Sequence, residues 1–318
     1  DVLRVGEVEV RRRACDVHPH ERIMITRFYY RFRRKFCHLN RDARGVEKWS
    51  HRMASAEILP VLRRRFDEKA HPMVHLEIST TCNNRCPFCP QSQFQRPVKY
   101  MSRERFSYLI AELKKIEFSS RIVLNVNNEP FMHPDIIWFC ERISEELPKA
   151  DCSFNTNGTL LTFAHFESIL RLPRQPLIIL NDYTENQRIA GQVETWLTTA
   201  GRADARFVIY RRSLNERLSN SAGNINVEGS YPEDCRDVVC TWPFLSIFLD
   251  TELRAFLCCF DYKHEIILGD LASQSLMEIW QGVPMREVRR KMLETQRRDL
   301  PLCRKCDAVW FNLPAGCR

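Results

Sequence analysis

No stretch of this chain is apolar for long enough to span a bilayer, and its first residues hold no hydrophobic signal-peptide core. Membrane insertion and translocation drop out as readings, and a cytoplasmic location is expected. The skewed composition of disordered or fibrous chains is missing as well. Hydrophobic residues make up 44%, charged residues 28% and aromatics 10%, the balance of a globular protein. In a reducing compartment disulfides are not the expected use of cysteine, yet the chain has 14 of them in 318 residues. Metal ligation and buried thiols are left as the uses to consider. The 48 Lys and Arg exceed the 40 Asp and Glu, for a net charge of +8, and arginines cluster at Arg11 to Arg13, Arg63 to Arg65 and Arg211 to Arg212. That suits a phosphorylated or nucleic-acid partner, and equally a solvated basic surface.

The length allows one large domain or a larger and a smaller one. Residues 1–72 read as a basic N-terminal extension: an alternating stretch from Val2 to Val10, then helical patterns around 21–37 and 53–69. From His75 short apolar runs alternate with amphipathic stretches, which predicts repeated βα units and a parallel sheet. Six runs stand out: 74–78, 122–126, 152–155, 177–180, 206–210 and 245–249. Helices are expected over 103–116 behind Ser102, 134–147, and 163–170 behind Thr162. This core is expected to occupy residues 73–218. A Ser, Asn and Gly-bearing linker and a cysteine-rich module fill 219–318, where sparse regular patterning calls for a metal staple.

Cys82-Asn83-Asn84-Arg85-Cys86-Pro87-Phe88-Cys89 lies in the loop after the first predicted strand. Three thiolates at this spacing can hold three irons of a cubane and leave the fourth iron open for a ligand. A zinc site would want a fourth protein ligand, which His75 or a more distant residue would have to supply. Further along come Asn127-Asn128-Glu129-Pro130 after the second run and Phe154-Asn155-Thr156-Asn157-Gly158 in the third. The tail carries Cys240-x17-Cys258 and Cys303-x2-Cys306, with Leu268-Gly269-Asp270-Leu271 and Ser275 to Trp280 between them.

In these motifs the sequence resembles the radical S-adenosylmethionine (SAM) superfamily, over most of residues 74–310. The resemblance implies an α/β fold, a partial (βα)6 barrel followed by a small twitch-like iron-sulfur domain, related to the longer SPASM module. Its cofactors would be SAM and two [4Fe-4S] clusters. Cys82, Cys86 and Cys89 would hold the SAM-binding cluster. Phe88 would pack near the adenine. Asn127, Asn128 and Glu129 stand at the turn that meets the SAM amino group, where relatives have Gly-Gly-Glu, and Glu129 would face the ammonium. Asn155 and Asn157 would lie near the ribose and carboxylate, with Arg211 as a carboxylate partner. Cys240, Cys258, Cys303 and Cys306 would hold the auxiliary cluster, although Leu253 stands where glycine is common. Cys235, Cys259 and Cys317 are left over; Cys259 could be an alternative ligand or a hydrogen-atom donor. Cys15, Cys37, Cys140 and Cys152 read as buried small hydrophobes.

The implied activity is hydrogen abstraction from a small polar metabolite (sugar, aminocyclitol or nucleoside) by a 5′-deoxyadenosyl radical, giving dehydrogenation, with a flavodoxin- or ferredoxin-type electron donor. The alternatives are a radical epimerase using Cys259, a ribosomal-peptide maturase, and a non-catalytic metal-stapled RNA-binding protein. The last leaves Glu129 and Asn157 without a role.

Overall fold

The six apolar runs are strands of one sheet, and two more strands extend it. The computed structural model describes residues 43–202, 204–214, 219–226, 235 and 237–308. The expected strand near Val2 to Val10, the helix around 21–37, Cys15, Cys37 and Cys317 lie outside them. The strands are β1 (Met73–Leu76), β2 (Arg121–Val123), β3 (Asp151–Thr156), β4 (Leu177–Asp182), β5 (Phe207–Arg211), β6 (Ser246–Leu249), β7 (Arg254–Phe256) and β8 (Ile267–Asp270). Their order is β5-β4-β3-β2-β1-β6-β7-β8. The first six are parallel, as the alternation with helices requires, and β6, β7 and β8 run antiparallel by short connections. The sixth strand therefore joins the free edge of β1, with Val74 opposite Ile247, and not the edge of β5. One sheet crosses the expected boundary at residue 219.

Alternation along the strands assigns two faces. Val74, Leu76, Ile122, Phe154, Ile178 and Leu180 are fully buried in the core, together with Phe106, Leu109, Ile110 and Leu113 of the helix Arg103–Lys115 and Phe139 and Ile143 of Ile136–Glu146. The helical spacing of three and four residues puts each set on one stripe. Burying one such phenylalanine contributes roughly 2–3 kcal/mol, and Phe106 stacks on Phe139 at 4.2 Å between ring centroids. Caps set where the helices begin. Ser102 Oγ accepts from Arg105 N–H at 3.3 Å, and Thr162 closes a reciprocal capping box with His165. The helix expected at 53–69 spans Ala43–Arg65 and buries Ala54, Ile58 and Leu62. Cys140 and Cys152 are buried in this core.

In the C-terminal part the β6–β7 hairpin forms with Leu253 at φ 67°, a left-handed conformation costing an L-residue about 1–2 kcal/mol. Asp250 offsets that cost. Its Oδ1 accepts from the N–H groups of Glu252 and Arg254, both at 2.9 Å, and Leu253, 3% exposed, fills the core. Ser275 and Glu278 form a capping box for the helix Leu276–Trp280. The stretch expected as a linker is docked here: Asn220 N–H donates to Asp307 Oδ1 and Asn220 Nδ2 to the Lys305 carbonyl, each at 2.8 Å.

Candidate active site

The loop that carries the first three cysteines leaves β1 through Ile78, Ser79 and Thr80, all buried, so its root is fixed in the core. The chain turns at Cys89, whose N–H donates to the Cys86 carbonyl at 2.9 Å, and continues into a short 3-10 turn, Pro90–Ser92. Gln91, 5% exposed, anchors it by donating to the carbonyls of Thr80 (3.0 Å) and Asn127 (2.7 Å). Burial pushes the Cys82 thiol up to about 11, with further contributions from the nearby Glu129, Cys89 and Cys86. Cys86 and Cys89 are also raised, first by burial. Three thiols that hinder one another's ionisation form a donor set that iron can relieve by taking all three as thiolates, with release of protons.

The turn after β2 and the turn ending β3 are joined to that loop through Glu129. The carboxylate, 2% exposed, accepts from Thr156 Oγ1 (2.6 Å), Asn157 N–H (2.8 Å) and Phe131 N–H (3.2 Å), while Glu129 N–H donates to the Thr81 carbonyl (3.0 Å). Three of its roughly four acceptor positions are thus occupied by the protein. Burial raises its pKa against the opposing effect of those bonds. Asn157 extends the link: its Nδ2 donates to Asn83 Oδ1 at 2.9 Å and lies 4.0 Å from Cys82 Sγ. Gly158 must be glycine, with φ +73°, because a Cβ there would sit 2.3 Å from Leu180 Cδ1.

Asn127 and Asn128 are not among the residues with positive φ; they replace the expected glycines by using their side chains. Asn128 Oδ1 accepts from Val126 N–H at 3.1 Å, and Asn127 Nδ2 donates to the carbonyl of Cys259 at 2.9 Å. Asn155 N–H donates to Asn125 Oδ1 at 2.8 Å. Phe88 stands 5.6 Å from the ring of Tyr183, in the loop after β4. A cleft of about 190 Å³ opens beside Cys86, lined by Asn84, Arg85, Asn157, Thr159, Tyr183 and Leu214 among others. Arg211 is not brought to it. Its Nη2 donates to both carboxylate oxygens of Glu194 in the helix Arg188–Thr199, at 2.7 and 2.8 Å.

The second cysteine group is assembled by β6, β7 and the loop that follows the helix Val283–Leu293. Burial raises the Cys258 thiol well above its ordinary range, and the neighbouring Cys259, Cys303 and Cys306 raise it further. Cys303 and Cys259 are each pushed up to about 12, mainly by burial, Cys303 with Cys240 and Cys306 beside it and Cys259 with Cys306 and Cys240. Cys259 thus stands near this group, with its carbonyl held by Asn127. Among the described residues no three His, Cys, Asp or Glu side chains converge on one ion-sized point. Three thiols in the first set and four in the second fit [4Fe-4S] clusters in the number and type of their donors.

A bridge that the sequence reading missed clamps the two groups together. Tyr262, three residues after Cys259 and fully buried, donates to Gln91 Oε1 (3.2 Å) or the Phe94 carbonyl (3.1 Å). Arg96 pairs with Glu77 through both carboxylate oxygens, at 2.6 and 3.0 Å, and stacks over the Tyr262 ring at 4.2 Å. Burial alone would raise the Asp250 pKa, but His264 and the backbone of the β6–β7 turn hold it down at about 2. No motif marks the bridge, since Tyr262 meets Gln91, Phe94 and Arg96 across more than 150 positions.

The sheet face opposite the buried one carries His75, Asn125, Ser153, Asn155, Asn181 and Tyr210, by alternation and register. His75 stacks on Phe248 (4.5 Å) and meets Trp242 edge-on (5.2 Å), and its Nε2 is buried with no hydrogen-bond partner among the described residues. Burial and then Arg121 lower its pKa from 6.5 to about 3. Because the folded pKa lies below the unfolded one, the unfolded chain takes the proton first. Stability is full above pH 6.5 and is lost as pH falls toward 3. Denaturant titration is expected to show a loss of about 1 kcal/mol between pH 7.5 and pH 5.5 from this residue, and His75→Leu should remove that slope.

In comparison with known proteins, the radical SAM superfamily profile matches residues 76–200, and that of the iron-sulfur cluster-binding domain SPASM matches residues 240–307. The chain is 25% identical over 245 residues to the SAM-dependent 2-deoxy-scyllo-inosamine dehydrogenase of Niallia circulans, across 76% of this chain and 95% of that one. Among solved structures it is similar to BtrN in complex with AdoMet and 2-DOIA, with a TM-score of 0.63 and 21% identity over 75% of this chain and 93% of that one. It is also similar to anSMEcpe with bound AdoMet, with a TM-score of 0.51 and 12% identity over 74% and 88% of the two chains. Both structural likenesses are of fold. No helix among the described residues is long and apolar enough to cross a membrane.

Proposed function

We propose that this chain, which matches the radical SAM superfamily over residues 76–200 and the SPASM iron-sulfur cluster-binding domain over residues 240–307, is a radical SAM enzyme that oxidises an alcohol carbon of an aminocyclitol, or of a similar small polyol, to the ketone. When bound, SAM and the two clusters supply a 5′-deoxyadenosyl radical for hydrogen abstraction and a second redox centre for the remaining electron. Cys82, Cys86 and Cys89 are assigned to the first cluster, in a core of residues 73–218. Cys240, Cys258, Cys303 and Cys306 are assigned to the auxiliary one, in a module of residues 219–318. Phe88, Asn127, Asn128, Glu129, Asn155 and Asn157 are assigned to SAM, Asn157 from the lining of the cleft beside Cys86. Arg211, paired with Glu194, is not carried into this assignment.

What supports dehydrogenation most directly is the clamp, Asn127 on the Cys259 carbonyl and Tyr262 with Gln91, which holds the second cysteine group against the first loop. A reaction that must dispose of an electron needs a second centre so placed. An epimerase needs a thiol facing its substrate, whereas Cys259 lies among Cys240, Cys258 and Cys306. The relative matched over 95% of its length is a 2-deoxy-scyllo-inosamine dehydrogenase, and the neutral polar side chains Asn125, Asn155, Asn181 and Tyr210 suit a substrate rich in hydroxyls. The net charge of +8 suits an acidic electron donor of the flavodoxin or ferredoxin type.

The test is anaerobic turnover with 2-deoxy-scyllo-inosamine deuterated at its carbinol carbons. Ketone, methionine and deuterated 5′-deoxyadenosine are expected in equal amounts, and Cys259→Ala should keep the rate within about threefold. Inverted substrate without ketone, lost in Cys259→Ala, would replace dehydrogenation by epimerisation.

A further inference from the structure

Arg297 is the most deeply buried cation beside the second cysteine group. It is 1% exposed, in the turn Arg297–Asp299 just ahead of Cys303. Its Nη2 donates to the carbonyls of Cys306 (3.2 Å) and Ala308 (2.6 Å). Its Nε and Nη1 are buried with no hydrogen-bond partner among the described residues. The groups that favour its charge, against the cost of burial, are the thiols of Cys306, Cys240, Cys303 and Cys235.

A guanidinium cannot shed its proton to escape burial, so an unpaired one costs several kcal/mol. Neutral thiols do not offset that; an anion held by the same sulfurs does. A [4Fe-4S] core with four thiolates carries a charge of about −2, rising to about −3 on reduction. Nε–H and Nη1–H are the donors left over for its sulfur atoms.

We propose that Arg297 is the internal counter-ion of the auxiliary cluster and raises its reduction potential by stabilising the more negative, reduced state. This rests on the reading that Cys240, Cys258, Cys303 and Cys306 hold an iron-sulfur cluster. Charge and hydrogen bonds to sulfur are two of the factors that set such potentials, so the residue acts on electron uptake without touching substrate.

The experiment is an anaerobic redox titration of the holoenzyme followed by electron paramagnetic resonance, with SAM added to perturb one cluster signal and so mark the other. Arg297→Gln is expected to make reduction of the unperturbed cluster at least about tenfold less favourable, a fall of about 59 mV for one electron. Arg297→Lys, which keeps the charge, should stay within about threefold of wild type. An Arg297→Gln midpoint equal to wild type with full iron content overturns the proposal. Should Arg297→Gln not fold, the wild-type chain grown with guanidino-15N-arginine decides: nitrogen hyperfine coupling to the reduced auxiliary cluster supports the proposal, and its absence overturns it. Wild-type protein with four irons in place of about eight sinks the underlying cluster assignment, an outcome distinct from both.

Discussion

Alanine at Cys82, Cys86 and Cys89 together will leave a folded protein that holds about four irons in place of about eight and cleaves no SAM. The fold should survive because the loop is anchored by groups other than its thiols. Gln91 ties it to the Thr80 and Asn127 carbonyls, and Asn83 to Thr159 Oγ1 at 2.7 Å. Iron and sulfide analysis with Mössbauer spectra, beside an assay for 5′-deoxyadenosine, checks both halves. The reciprocal change, alanine at Cys303 and Cys306, should also leave about four irons but retain SAM cleavage. Surviving cleavage in the triple variant would remove the central assignment. Zinc without iron in the wild type would turn both cysteine groups into structural staples.

Much of the scaffold was legible because its signals are local. Apolar runs of four or five residues mark β1 to β6, and Ser102, Thr162 and Ser275 announce helices by the chemistry of their side chains. The edge that β6 joins was not legible, since an all-apolar run such as Ile247-Phe248-Leu249 does not encode its neighbour. The same limit applies within the site. Cys82, Cys86, Cys89, Cys303 and Cys306 are visible through spacing, and Glu129 and Asn157 through the turns that hold them. Gln91, Arg96, Tyr262 and Arg297 act through partners brought near only by folding. Asn127 and Asn128 show the difference most sharply: at the backbone they look like poor substitutes for glycine, but the Asn128 amide closes its own turn and the Asn127 amide fastens that turn to the loop of Cys259.

Glu129→Ala is expected to cost about 4 kcal/mol, a large share of the 5–15 kcal/mol that holds a typical domain together. The change strands Thr156 Oγ1, Asn157 N–H and Phe131 N–H in a site where the carboxylate itself was 2% exposed. Each orphaned group contributes about 1–3 kcal/mol, reduced where water enters the space left behind. Glu129→Gln keeps one carbonyl oxygen for Asn157 N–H and lets the Thr156 hydroxyl reverse its role, so the loss should shrink to about 1–2 kcal/mol by denaturant titration. SAM affinity separates the two roles of this side chain. If the carboxylate only joins the turns, Gln will recover SAM binding along with stability. If its remaining lone pair also meets the SAM ammonium, as the sequence motif implies, Gln will fold nearly as well as wild type and still bind SAM at least about tenfold more weakly. The second result is the expected one, because a buried acid surrounded by donors is a costly way to join two turns that an amide could join as well.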